Sequence, residues 1–350
     1  MAQINGKFPT LPELMKLLTG GGEFAKSVDM MRQANEILDV MTWMPCNQGD
    51  EHMILQSISL PTVYEAMINH GVVPSDGQDT NLYEPTATFR TWQEIDADAA
   101  ELTGDPAKVM SDKSRKHRQA HARNFVSSLF YGNSLTDPDT FPGLNQRYGN
   151  TNPAEENSQN VIDAGGTGSV NGSIYLIGFG EDAVSGLYPD HTIAGLQTED
   201  KGKVTKENAD GTTDSLRDVY RAKFSWHCGL AVEDWKWAAR ICNIDRVNIL
   251  AQNASAANLL QLTEDALYCL PSTAVMTDSN TNGRRMGWFM DRFMRKMIDR
   301  QSRLQVMAGG QLDYVVVDGV RRKALHGIPM YTVDQMAVDE ARVTSTTPIF

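Results

Sequence analysis

The sequence predicts an α+β protein in which several elements are too extended to be buried by their own chain. Three observations carry this. Residues 51–95 read as a long hairpin with few apolar residues. Residues 106–131 form a rod without an internal glycine or proline. The remainder alternates strand-rich and helix–strand stretches.

Composition sets the frame. The chain has 350 residues, 41% hydrophobic and 22% charged. That excludes wholesale disorder and allows two compact domains, or one with large extensions. No apolar run approaches the ~20 residues of a membrane helix. Residues 1–18 carry Lys7, Pro9, Glu13 and Lys16 and do not read as a signal peptide, so folding in a cytoplasm is expected. Cys46, Cys228, Cys242 and Cys269 contain no CxxC pair and are expected to be small hydrophobes. The net charge of −12 is opposite to the basic surplus of a nucleic-acid reader.

Each element follows in order. Residues 1–50 are mixed, with helix-like stretches over 11–18 and 30–41 separated by Gly20-Gly21-Gly22. They read as an arm. Residues 53–60 and 87–92 are strands around a polar excursion, with the hairpin tip at 64–86. Such a hairpin is marginal alone and needs a partner surface. Asp105-Pro106 is an N-cap followed by proline at the first helical position, and Gly132 closes the helix. The 26-residue rod between them spans about 39 Å. It carries Lys108, Lys113, Arg115, Lys116, Arg118 and Arg123 and ends in an apolar stretch from Phe125 to Tyr131. Residues 133–172 read as loop, anchored by Phe141-Pro-Gly-Leu144. Strands are expected over 173–179, 224–232 and 235–244, with an exposed loop over 195–215. A helix over 256–270, a strand over 272–277 and an amphipathic helix over 284–303 follow. The last places Met286, Phe289, Met290, Phe293 and Met297 on one face. A hairpin over 314–325 turns at Asp318-Gly319.

No catalytic constellation emerges. His117 and His121 have metal-ligand spacing, but Lys116, Arg118 and Arg123 surround them and disfavour a cation; a solvated or subunit-facing helix surface is the better reading. Gly166, Gly168 and Gly172 precede a strand, the wrong context for a dinucleotide loop, and Ala183 replaces the glycine that Gly178 and Gly180 would require. Gly202-Lys203 lacks the hydroxyl residue of a P-loop. Asp96, Asp98 and Glu101 read as a solvated acidic patch. Trp226, Trp235 and Trp237 read as core or interface rather than a base-stacking platform. The basic residues Arg285, Arg292, Arg295, Lys296, Arg300 and Arg303 are better matched to acidic neighbours than to nucleic acid. No cofactor or metal is expected.

An arm, an extended hairpin, a long helix and then an α/β unit resemble, in that order, the Hong Kong 97-type capsid fold. Leu129-Phe-Tyr-Gly-Asn133 before Phe141-Pro-Gly-Leu144 is similar to the end of that family's spine helix. Leu325-His-Gly-Ile-Pro-Met-Tyr-Thr-Val-Asp-Gln-Met336 resembles its axial-domain strand. Leu60-Pro-Thr-Val63, Asp163-Ala-Gly-Gly-Thr-Gly168, Ser173-Ile-Tyr-Leu176, Gly229-Leu-Ala-Val232 and Ile241-Cys-Asn-Ile244 look like the epsilon-15 branch. The likeness runs over roughly 30–340.

The resemblance implies an N-terminal arm (1–50), an E-loop hairpin (51–95), a peripheral P domain with the spine helix (96–250) and an axial A domain (251–350). It departs from the type member in placing the strand-rich block 173–244 ahead of the helix–strand unit. It implies a major capsid protein, assembled in a host cytoplasm as hexamers and pentamers of an icosahedral tailed-phage virion. The shell encloses double-stranded DNA, held weakly and without sequence specificity. Other copies are the chief partner; scaffolding, portal and decoration proteins are further ones, and no membrane is involved. Candidate intersubunit contacts are Tyr64, Val72, Val73 and Tyr83 on the hairpin and Arg115, Arg118 and Arg123 on the rod. An encapsulin-like shell and a phage nucleic-acid-processing enzyme are the alternatives.

Overall fold

The computed structural model describes residues 36–192, 195–207, 216–251, 256–271, 284–304, 312–317 and 320–345. The expected helix over 11–18, the strand over 272–277 and the turn at Asp318-Gly319 lie outside them. A short helix α1 (Ile37–Val40) and strand β1 (Trp43–Pro45) lead into the hairpin β2 (Glu51–Ser59) and β3 (Gln78–Asp96). Then come α2 (Ala97–Glu101), the spine helix α3 (Pro106–Tyr131) and one turn, α4 (Leu144–Arg147). The strand-rich block holds β4 (Val161–Asp163), β5 (Asn171–Phe179), β6 (Val184–Tyr188), β7 (Gln197–Glu207), β8 (Leu216–Val232) and β9 (Ala238–Asp245). Helices α5 (Arg246–Ala251) and α6 (Leu259–Cys269) precede β10 (Arg285–Met290), α7 (Arg292–Leu304), β11 (Asp313–Val317), β12 (Val320–Leu325) and β13 (Ile328–Thr332).

The strands join in the order β11-β12-β13-β10-β5-β6-β8-β3-β2, with β1, β4, β7 and β9 attached at the sides. Strand β5 explains the arrangement. Every one of its residues is buried. Tyr175, Ile177 and Phe179 point to one face, where they meet Phe125 and Phe130 of the spine helix among a first core. Ile174 and Leu176 point to the other, where Met294, Met297 and Ile298 of α7 and Leu267 of α6 complete a second core. A strand covered on both faces reads as a continuous apolar run. The first core includes Trp226, with Phe125 4.8 Å away between ring centroids, and Trp237 lies in the second; half-buried Trp235 packs against the first. Trp226 and Trp237 are thus core residues, and Trp235 lies at the core's edge. The sheet is continuous across residue 250, since Trp288 of β10 pairs with Leu176 of β5.

The amphipathic helix expected over 284–303 is corrected: only its second part is helical. Residues Arg285–Met290 form β10, between β5 and β13. Met286 and Met290 happen to be four apart, but alternation puts Met286, Trp288 and Met290 in the second core and Phe289 in the first. Gly287 allows this close packing, because a Cβ there would sit 2.6 Å from the Tyr331 ring. The helix starts only after Asp291.

Cys46, Cys228 and Cys242 are free and buried, and Cys269 is half-buried. Burial pushes the Cys46 thiol up to about 11 and that of Cys242 to about 12. They behave as small apolar side chains. Arg240, almost completely buried, is paired with Glu340 at 2.9 Å and donates to Ser173 Oγ and the Tyr148 carbonyl. Tyr131, the last residue of the spine helix, donates to the other Glu340 oxygen at 2.5 Å. One carboxylate therefore ties the helix end, the central sheet and the C-terminal segment together. The described part of residues 1–50 also packs on the body: Ile37 and Val40 are buried, and Glu36 accepts from Arg322 and the Thr332 amide.

Candidate assembly surface

The hairpin is rooted firmly and then leaves the body. Strand β3 plays two parts. Among the described residues, 86–96 of this strand pair with β8, while 78–85 pair only with β2. At the junction Glu84 is fully buried and accepts from both terminal guanidinium nitrogens of Arg147, at 2.6 and 2.5 Å. Arg147 Nε also donates to the Pro142 carbonyl. The turn after the spine helix thereby clamps the hairpin base. His52 adds a contact to Glu233 at 3.1 Å. The Glu84–Arg147 pairing satisfies charges that would be costly in isolation.

Beyond the root no described part of the chain covers the hairpin. Every residue from 59 to 74 is exposed. The exposed side chains include Leu60, Val63, Met67, Ile68 and Val73, with Val63 at 92% and Ile68 at 93%. Few bonds shape the excursion: Ser75 Oγ donates to the Thr62 carbonyl and the His70 amide to that of Met67. Gly77 permits the close approach that shuts the loop, since a Cβ there would lie 2.7 Å from the Ser59 carbonyl. The expected tip at 64–86 is corrected: the unpaired segment is 60–77, because β3 begins at Gln78. Large exposed apolar patches of this kind mark interaction surfaces.

The candidate residues divide by place. Tyr64, Val72 and Val73 are exposed on the tip, and Tyr83 is exposed on the stalk, opposite Met53. Arg115 and Arg118 are exposed along the spine helix. Arg123 is half-buried and interacts within its own chain. The structure therefore separates the two groups along the chain rather than gathering them in one pocket. Exposed Leu60, Met67 and Ile68 belong with the tip and were missed; an apolar residue in a polar-looking stretch is the signal that finds them.

The spine helix lies on β3 and β8. Its cap is as the sequence predicts, with Asp105 accepting from the Lys108 amide at 3.1 Å. Its C-terminal half supplies Phe125, Val126, Leu129 and Phe130 to the first core. At its end Gly132 allows backbone crossing, since a Cβ would meet the Phe141 carbonyl at 2.4 Å, and the Gly143 amide bonds the Gly132 carbonyl. The Gly132 and Pro-Gly-Leu motif is thus a packing device.

The histidine pair is corrected from an outward surface to an inward one. His117 Nδ1 and His121 Nε2 both lie within hydrogen-bond distance of Thr91 Oγ1, at 3.2 and 3.0 Å, and His117 stacks on Phe224. Burial lowers both pKa values; Lys113 adds to this at His117, and His117 at His121. Among the described residues no group of His, Cys, Asp and Glu has the geometry to hold a metal. Asp96 caps α2, and Glu101 bonds Lys203 and Tyr220. Gly166 and Gly168 sit against Asp245, with Asp245 Oδ2 2.7 Å from where a Cβ on Gly168 would stand. Arg292 pairs with Asp334 and Arg295 bonds Thr332. None of the described helices is long and apolar enough to cross a membrane.

Comparisons with known proteins agree with this geometry. The structure of bacteriophage Epsilon15 superposes with a TM-score of 0.75 at 21% identity, covering 99% of this chain and 100% of that one. This gives the chain a Hong Kong 97-like fold and bears out the resemblance read from sequence. Weaker likenesses join the bacteriophage JBD30 capsid (TM-score 0.44, 11% identity, 88% and 93% of the chains) and the SrpI encapsulin of Synechococcus elongatus (0.41, 13%, 63% and 93%). No curated protein matches the sequence. The sequence pattern of the Major capsid protein GP7 family matches residues 19–344, and the chain belongs to that family.

Proposed function

We propose that copies of this chain close into hexamers and pentamers of an icosahedral head that encloses double-stranded DNA. The chain is a tailed-phage major capsid protein, a structural virion component rather than an enzyme. That removes the nucleic-acid-processing alternative. The observation that carries the finer reading is the exposed apolar tip, residues 60–77, on a rigidly rooted hairpin. A free subunit would hold this surface in water. A neighbouring copy covers it, at ~25 cal/mol per Å² of apolar area removed.

In this reading residues 1–50 act as arm, 51–95 as E-loop, 96–250 as P domain and 251–350 as A domain. Tyr64, Val72, Val73 and Tyr83 contribute intersubunit contacts from the hairpin, and Arg115, Arg118 and Arg123 from the spine. DNA is held loosely, in keeping with a net charge of −12. Scaffolding, portal and decoration proteins are the further partners. An encapsulin-like shell differs in its contents. Electron microscopy of particles from an infected host tests both points. Closed icosahedral shells filled with double-stranded DNA support the proposal. Closed shells carrying protein cargo and no DNA would favour the encapsulin-like reading, and a monodisperse monomer would refute assembly.

A further inference from the structure

The charges of the spine helix are arranged against its own stability. A helix is stabilised by acids near its N-terminus and by cations near its C-terminus. Helix α3 has no acid in its first turn and no cation in its last. Its basic residues crowd the N-terminal half instead, and Asp112 is its only acid. Lys108, Arg115, Lys116 and Arg118 are exposed there. Lys108 and Arg115 share one stripe, two turns apart and opposite to inward-facing His117, and Lys116 and Arg118 flank it. Among the described residues none of these four cations is ion-paired. Burial, and then the charge of Lys116, lowers the Lys113 pKa, which shows that the cations oppose one another.

The opposite charge stands at the far end of the same rod. Residues 135–139 are all exposed, carry Asp137 and Asp139, and present Leu135 at 63%. The loop is held in shape. Asn133 Oδ1 accepts from the Leu135 amide, Asp137 Oδ1 from the Asp139 amide and Gln146 Oε1 from the Ser134 amide. Among the described residues neither aspartate is ion-paired. Phe130 and Phe141, on either side of the loop, both lie in the first core, so the loop shares the spine helix's side of the sheet. The end of the helix is about 24 Å along its axis from Arg115 and about 35 Å from Lys108. An acidic projection and a cationic face at opposite ends of one rod are the two differently placed surfaces that a head-to-tail contact needs. We propose that loop 135–139 of one copy lies on the N-terminal half of the next copy's spine helix, with Asp137 and Asp139 facing Lys108, Arg115, Lys116 and Arg118 and with Leu135 covered. This rests on the reading that copies form hexamers and pentamers, and it names what the spine-helix arginines meet within a ring. Charge complementarity of this kind fixes register and suppresses wrong pairings.

The test is charge reversal of each end in the full chain. One variant carries Arg115→Glu, Lys116→Glu and Arg118→Glu. The other carries Asp137→Asn, which keeps the acceptor of the turn, and Asp139→Lys. Each alone should lower particle yield at least about tenfold, because like charges then meet or the attraction is lost. Both sets in one chain should restore assembly. If the reversed helix fails to fold by circular dichroism, Arg115→Gln with Arg118→Gln replaces it; this variant should lower the yield and reduce the salt dependence of wild-type particle formation. Wild-type yield from both folded single-end variants, or two folded single-end variants that the combined chain does not rescue, would overturn the proposal. So would a reversed spine helix that assembles normally but packages less DNA, which would assign that face to nucleic acid. Wild-type chain that forms no closed particles would sink the shell reading itself, and this contact with it.

Discussion

Strand β5 and the hairpin tip are both apolar, yet their fates are opposite. All nine residues of β5 are buried, by the spine helix on one face and α6 and α7 on the other. In the tip Leu60, Val63, Met67, Ile68 and Val73 are all more than two-thirds exposed. The difference lies in what surrounds them. Strand β5 sits between two layers of the same chain, while the tip stands beyond the last strand that could cover it. Burial in the first region stabilises the subunit. In the second no described part of the chain buries the apolar side chains, and on the proposed function a neighbouring copy does.

Substitutions can break or sharpen this contrast. Glu340→Ala leaves Arg240 buried without its counter-charge, and should cost about 3–5 kcal/mol of subunit stability by denaturant unfolding. A loss under 1 kcal/mol would mean that the Arg240–Glu340 tie does not hold the body together. Trp288→Ala empties the centre of the second core and should also cost about 3–5 kcal/mol. Asp105→Ala removes the N-cap of the spine helix and should cost ~1 kcal/mol, read as a lower melting temperature. The smallest effect concerns pH. His117 and His121 have lowered pKa values in the folded chain, so the unfolded chain binds more protons below the ordinary value of 6.5. Their contribution is therefore complete above that value and is lost as pH falls through the folded values. His117→Gln with His121→Gln should flatten the acid side of the stability profile; an unchanged slope would show that the pair does not titrate on unfolding.

The sequence made local signals legible where one residue type has one physical reason to be present. Asp105-Pro106 marked the start of the spine helix and Gly132 its end, and both stand where expected. The run in β5 could only be a buried strand or a core helix, and its β-branched and aromatic content decided for strand. The 284–303 stretch misled because Met286, Phe289 and Met290 satisfy a helical period by coincidence. Their choice between helix and strand is made by β5 and β13, which are distant in sequence. The Glu84–Arg147 clamp was likewise invisible, since 63 positions separate its partners. The hairpin was legible as an element in need of a partner. The far end of its tip, expected at residue 86, lies nine residues earlier, because polar Gln78, Asp79, Thr80 and Asn81 hide the beginning of β3.

On the proposed function the hairpin tip is dispensable for folding and required for the shell. Val63→Ser with Ile68→Ser in the full chain tests it most directly, because both side chains are over 90% exposed. Subunit unfolding should change by no more than about 0.5 kcal/mol, while sedimentation should find the closed particles replaced by free subunits or dissociating at markedly lower denaturant. Particles of wild-type yield and denaturant resistance would contradict the account.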